Sequence, residues 1–329
     1  MRAPDFWYDR KPGLVARALT PLGRMYGAGT ARRLARGRPV DPGVPVVCVG
    51  NLTAGGSGKT PVVQDVSRRL AALGAAPHVI SRGYGGKVSG PHRVDPARDT
   101  MAEVGDEPLM LAAGVPVWVG GDRPALASAA AGAGAGCLVM DDGFQDPSLR
   151  KTLSLLVGDG HYGFGNGLMI PAGPLREPPA AGLARADALV VVGKDAWGLA
   201  QAARDQGHGG LPVLGCRTRP GPEIDALKAG GPLYAFAGIA HPRKFFRTLE
   251  EGGCELTGRM AFSDHYPYSD ADLEELRRKA AAADARLVTT EKDYARLSPD
   301  ARRDIQVLTI TLHWDDEAAL GRLLAGLRS

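Results

Sequence analysis

The residues with the clearest chemical potential lie together in VGNLTAGGSGKTPVV, residues 49–63. Gly55, Gly56 and Gly58 let consecutive backbone N–H groups turn inward onto an anion, through dihedrals that a Cβ would oppose. Lys59 can then reach the terminal phosphates of a nucleotide, and the Thr60 hydroxyl can ligate Mg2+. An apolar run precedes this loop and a helical pattern follows it, so the helix would direct its positive end at the phosphates. Pro61 suits the first turn, where its missing N–H costs no helical bond. The strict spacing G-x-x-x-x-G-K-[ST] fails at one position, where Thr53 replaces the first glycine. Thr53, Ala54, Gly55, Gly56, Ser57, Gly58, Lys59 and Thr60 are nevertheless expected to bind ATP.

Such a loop needs a carboxylate on a neighbouring strand to hold the metal. GCLVMDDGFQD supplies Asp141 at the end of an apolar run and Asp142 just beyond it. Adjacent acids leaving a buried strand repel each other without a cation, so both are candidate Mg2+ residues beside Thr60, with a solvated turn as the alternative. In EVGDEPLML, Asp106 and Glu107 open a helical pattern. They are either acids favoured by the helix dipole or a catalytic base with an acidic neighbour, and the residues alone leave both readings open.

These groups require a scaffold that brings strand ends together. From Val44 onward, short apolar runs alternate with helical segments: VPVVCVG, APHVISRG, PVWVG, AGCLVMDD, LSLLVGDG and ADALVVVG read as strands of a mostly parallel sheet. Pro and Gly breaks in TRPGPEIDALKAGGP mark a change near residue 215, and a second alternation follows. The expected fold is α/β of the P-loop NTPase type, a sheet sandwiched by helices over residues 41–215, with a second, smaller α/β domain over 216–329. IQVLTITLHW is read there as a single last strand.

The 329 residues carry a net charge of +4, but residues 1–40 hold nine Arg or Lys against Asp5 and Asp9, a local +7. Aromatic and aliphatic residues interleave with those arginines, which suits an amphipathic arm in the headgroup layer of an anionic membrane or one packed on the protein's own body. Breaks at Pro21 and Gly23 suggest two short helices in this arm. No run of about 18 apolar residues is present. Cys48, Cys137, Cys216 and Cys254 lack metal-site spacing and fit a reducing compartment.

Taken together, VGNLTAGGSGKTPVV, SRGYGG, GDEPLML, DDGFQD, FGNGLMIPAGPLREP, GIAHPRKFF, DHYPY and TTEKDYARL resemble the tetraacyldisaccharide 4'-kinase family across nearly the whole chain. The resemblance implies transfer of the ATP γ-phosphate to the 4'-hydroxyl of a tetraacylated glucosamine disaccharide 1-phosphate, at the cytoplasmic face of the inner membrane. It implies Asp106 as the base, His265 as its partner, Asp141, Asp142 and Glu107 around Mg2+, and Arg82 near the reacting phosphates, with a weaker case for His241. Loop capping for Arg82, helix capping for His241 and a strand-end salt bridge for Lys292 and Asp293 are the structural alternatives. FGNGLMIPAGPLREP either faces substrate or is a structural Pro-Gly loop. A guanine-reading N-K-x-D is missing, as a GTPase-like regulatory protein would require. A kinase of a soluble small molecule would leave the basic arm unexplained. Basic residues concentrated in the arm speak against nucleic acid, and no obligate protein partner is expected.

Overall fold

The computed structural model describes residues 4–239, 241–298 and 300–328. Its strands are β1 (Val46–Gly50), β2 (Pro77–Ser81), β3 (His92–Arg93), β4 (Val117–Val119), β5 (Cys137–Asp141), β6 (Leu153–Asp159), β7 (Ala188–Val192), β8 (Val213–Pro220), β9 (Leu233–Ala237), β10 (Leu256–Ala261), β11 (Arg286–Thr290), β12 (Ile305–Leu308) and β13 (Ile310–Trp314). Nine form one sheet in the order β13-β8-β7-β6-β1-β5-β2-β4-β3, and four form another in the order β10-β9-β11-β12. The small sheet is parallel throughout, and the large one departs from parallel only at its edge strands β3 and β13. The fold is thus the expected α/β class, a mostly parallel sheet flanked by helices.

β1, β2, β5 and β7 are buried at every position, which is why they read as unbroken apolar runs instead of alternating ones. On one face, Val62, Val63, Val66 and Leu70 of the helix Lys59–Ala72 pack with Leu320 and Leu324 near the chain's end. On the other, Leu126, Ala127 and Ala130 of the helix Arg123–Gly132 cover Val46, Cys48 and Met140. The register Val49↔Asp141 sets the end of β5 beside the end of β1, where the glycine-rich loop begins. Ligands of open α/β sheets bind at such carboxyl ends.

Two sequence expectations change. The run 305–314 is two strands in two sheets: β12 completes the small sheet, whereas β13 returns to the large one and pairs antiparallel with β8. β13 is tied there by Trp314, whose Nε1–H donates to the buried Asp65 carboxylate at 2.7 Å. The arm does not break at Pro21 and Gly23 into two short helices: after a 3-10 turn at Asp5–Tyr8, a single α-helix, Leu14–Arg36, runs through both. Its buried stripe, Ala16, Gly23, Gly27 and Thr30, is small enough to lie directly on the segment around Met169. A Cβ at Gly23 would come within 2.7 Å of the Met169 carbonyl oxygen, so close approach, not chain breaking, accounts for the glycine. Leu14, Val15, Leu22, Met25 and Tyr26 remain exposed. Among the described residues no helix is long and apolar enough to cross a membrane.

Candidate active site

The glycine-rich loop leaves β1 through Asn51, which is fully buried and organises the turn with its side-chain amide. Asn51 Nδ2 donates to the Thr53 carbonyl at 2.7 Å and to Ser57 Oγ at 2.8 Å. Thr53 pairs with Leu175 in an isolated antiparallel bridge, Ala54 N–H donates to the Pro174 carbonyl, and Arg176 N–H donates to the Leu52 carbonyl. The backbone at residue 53 is therefore strand-like, and a threonine fits where the strict pattern has glycine. Left-handed dihedrals occur later, at Gly55 (φ +107°) and Gly58 (φ +80°). Lys59 and Thr60 open the following helix. The segment 164–178, left open between substrate contact and structure, provides the brace for this loop.

The acids form two groups. Asp141 is 4% exposed and accepts from Ser81 Oγ at 3.1 Å. Burial, with Glu107 adding to it, pushes its carboxyl up to about 6 despite the nearby Lys59. Asp142, with φ +47°, faces Lys59 Nζ at 3.6 Å and Arg176 Nη1 at 2.8 Å. Burial disfavours its ionised form, but Lys59 and Arg176 outweigh that and hold its pKa below the usual carboxylate range. No three His, Cys, Asp or Glu side chains among the described residues converge as a self-sufficient metal cage. The oxygens present instead suit a hard cation that shares its ligands with nucleotide phosphates.

Asp106 begins the helix Asp106–Ala112, directly after Gly105, and that helix packs against the one carrying Lys59 and Thr60. Its Oδ2 accepts from Arg296 Nη2 at 2.7 Å, and His265 Nδ1 and Lys292 Nζ approach it to 2.9 and 3.5 Å as ion-pair contacts. Oδ1 accepts the Glu107 backbone N–H at 3.0 Å. Burial works against ionisation, but Lys292, Arg296 and His265 together hold this carboxyl below its ordinary value. His265 sits at φ +59°, uncommon for a residue with a Cβ, and its N–H donates to the Gly238 carbonyl at 3.1 Å. Both ring nitrogens of His265 also face cationic donors, Nδ1 at 3.5 Å from Arg296 Nη2 and Nε2 at 3.5 Å from Lys292 Nζ.

The other expected residues lie further out. Arg82 is largely exposed, and its Nη2 is 3.5 Å from Asp146 Oδ2. His241 occupies the position before the helix Pro242–Glu251, but its side chain makes no capping bond and instead stacks on Tyr162, which contacts Tyr8. Sequence reasoning missed the buried arginines. Arg123 Nη2 donates to the Asp141 and Asp142 carbonyls at 2.9 and 3.1 Å, and its Nε lies 3.3 Å from Asp146. The available signal was a cation at a helix N-terminus, the end that disfavours one. Arg296 gave only an i, i+3 spacing from Asp293. Lys292 and Asp293, assigned a strand-end salt bridge as the alternative, instead open a helix after β11 and face Asp106 and Arg296.

Residues 15–328 match the family described as tetraacyldisaccharide-1-P 4'-kinase. A tetraacyldisaccharide 4'-kinase of Rhodospirillum centenum is 52% identical over 333 residues, covering 100% of this chain and 97% of that one. Another from Paramagnetospirillum magneticum is 52% identical over 320 residues, 97% of each chain. The crystal structure of the "apo" form of LpxK from Aquifex aeolicus in complex with ATP superposes with a TM-score of 0.77 at 25% identity, covering 95% of this chain and 99% of that one. The loop, the paired acids and the Asp106 cluster thus lie within a chain that belongs to the tetraacyldisaccharide-1-P 4'-kinase family.

Proposed function

We propose that this kinase transfers the γ-phosphate of ATP to the 4'-hydroxyl of a tetraacyldisaccharide 1-phosphate, a step of lipid A biosynthesis. The observation that carries the mechanism is Asp106, an ionised carboxylate held at 2.9 Å from His265 at the start of a helix packed against the phosphate-loop helix. An alkyl hydroxyl is too weakly acidic to ionise unaided, so a carboxylate must receive its proton as the new bond to phosphorus forms. Asp106 takes that proton, and His265 orients the carboxylate and balances its charge. Backbone N–H groups of residues 55–60 and the Lys59 ammonium hold the phosphates, and Arg82 is the further cation proposed for the transferring group. Thr60 and Asp141, supported by Asp142 and Glu107, are the residues that would hold Mg2+. That ion would supply charge neutralisation on the phosphates.

The arm places the enzyme at its substrate. An acceptor with four acyl chains stays in the bilayer, and the exposed Leu14, Val15, Leu22, Met25 and Tyr26 share their helix with Arg17, Arg24, Arg32, Arg33 and Arg36. Attachment is peripheral, at the cytoplasmic face of the inner membrane, by apolar insertion combined with attraction to anionic headgroups. Removing residues 1–30 should weaken binding to anionic liposomes, with most of the loss at low salt. Unchanged cosedimentation would refute the arm as anchor.

The deciding experiment offers ATP and either detergent-dispersed tetraacyldisaccharide 1-phosphate or water alone as acceptor. Lipid phosphorylation well above hydrolysis is expected. Phosphate release without any phosphorylated lipid would refute the kinase reading.

A further inference from the structure

We infer that Arg296 is a positioning residue for phosphoryl transfer: a buried guanidinium, anchored in the small sheet, that fixes which oxygen of Asp106 is left for the acceptor hydroxyl. The inference rests on the proposed role of Asp106 as base. The Arg296 side chain is fully buried, a costly location for a cation unless its partners are fixed. Its Nη1 donates to Asp293 Oδ1 at 2.9 Å and to the Gly238 carbonyl at 2.7 Å, while its Nη2 donates to Asp106 Oδ2 at 2.7 Å. One planar group therefore joins an anchor to the candidate base.

The anchor is itself immobilised. Asp293 is fully buried and accepts from the Gly238 N–H at 3.0 Å, from Tyr268 Oη at 2.9 Å and from Thr290 Oγ1 at 2.7 Å. Gly238 follows β9 and Thr290 ends β11, so the guanidinium is fixed at the carboxyl ends of two adjacent small-sheet strands. His265, by comparison, is about half exposed on a loop. At Asp106, Oδ2 is approached by Arg296, His265 and Lys292, whereas among the described residues the hydrogen bond to Oδ1 comes from the adjacent Glu107 N–H. A carboxylate oxygen has two lone pairs, so Oδ1 retains one for the hydroxyl proton, and Arg296 holds it in that orientation.

The test uses the full-length enzyme with ATP and detergent-dispersed tetraacyldisaccharide 1-phosphate, comparing Arg296→Gln, Arg296→Lys, Arg296→Gln/Asp293→Asn and Asp106→Asn. The double variant removes both buried charges together, so it retains a neutral pair where Arg296→Gln alone strands an aspartate. Loss of orientation should lower kcat about 30-fold or more in Arg296→Gln and in the double variant, with KM for ATP within about twofold of the parent. Arg296→Lys, which keeps a cation for Oδ2, should recover most of the loss. A double variant with parental melting temperature and parental kcat would overturn the inference, as would a lysine variant no better than glutamine. Asp106→Asn separates the two readings: if it is inactive while the Arg296 variants turn over normally, only the positioning role fails, and if it turns over normally, the base assignment fails and the inference with it.

Discussion

Asp106 and Asp141 are almost equally buried, 5% and 4% exposed, yet their acidities move in opposite directions. Burial disfavours the charge of both. Asp106 has the cations Lys292 and Arg296 beside it, with His265 in contact, and stays below its ordinary value. Asp141 has Lys59 acting on it but also the acids Glu107 and Asp142 beside it, and with burial it rises to about 6. A carboxylate supplied with the protein's own counter-charges stays ionised, the state that the proposed base requires. One surrounded by further acids favours a cation from outside. Burial alone would not have distinguished these two tasks.

The largest effect should come from Asp106→Asn, which removes the proposed proton acceptor but keeps its shape. A loss of about 10³-fold in kcat is expected, within the range for general base catalysis, with ATP affinity little changed. Rapid-quench measurement of lipid phosphorylation and nucleotide titration separate the two quantities. Lost ATP affinity with normal turnover of the bound complex would place Asp106 in nucleotide binding and dissolve the contrast.

That contrast was only partly legible in the sequence. The phosphate loop was readable because its glycines, Lys59 and Thr60 are contiguous, and Asp141 because an apolar run ends on it. Thr53 departs from the pattern for a reason visible only in three dimensions, its bridge to Leu175. Spacing alone does not pair Asp106 with His265, which come from separate parts of the chain, and only the family resemblance singled out that histidine. The cations that set Asp106 apart from Asp141 lie on a short helix after β11, whose acidic and basic letters also fit an ordinary salt bridge. β8 and β13 escaped as a pair because they form the edge of the large sheet, where burial is incomplete and the apolar signal weakens. Pro21 and Gly23 read as breaks because the sequence does not show the surface on which the helix lies.

Asp141 gives the second prediction, on stability. In the unfolded chain it titrates near 3.8 and in the folded protein near 6. Below about pH 4 both states carry the proton and nothing is lost. Between about pH 4 and 6 the unfolded state has released its proton while the folded state still holds it, so the folded state loses stability across that window, by on the order of 3 kcal/mol once both are ionised. Asp141→Asn cannot ionise, so the metal-free variant should be more stable than the metal-free parent at pH 8 and similar to it at pH 4. Thermal denaturation in EDTA at the two pH values tests this. Adding Mg2+ with nucleotide at pH 8 should narrow the gap by stabilising the parent. An equal gain at both pH values would show that the asparagine improves packing and that Asp141 carries no electrostatic burden.

His265→Ala should have the smallest effect and sharpens the Asp106 side of the comparison. It removes one of three groups around Asp106 Oδ2, leaving Arg296 at 2.7 Å and Lys292 at 3.5 Å. Those two keep the carboxylate ionised, so the proton acceptor survives and what is lost is part of its orientation and charge balance. The expected fall in kcat is about tenfold, roughly 1.4 kcal/mol, with KM for ATP unchanged. The ratio of this loss to that of Asp106→Asn is the informative quantity. If both substitutions cost the same, and the double variant costs no more than either alone, aspartate and histidine act as one proton-accepting unit. A tenfold cost against a thousandfold one would assign the proton to Asp106 and tuning to His265, as expected for a carboxylate with further cations beside it.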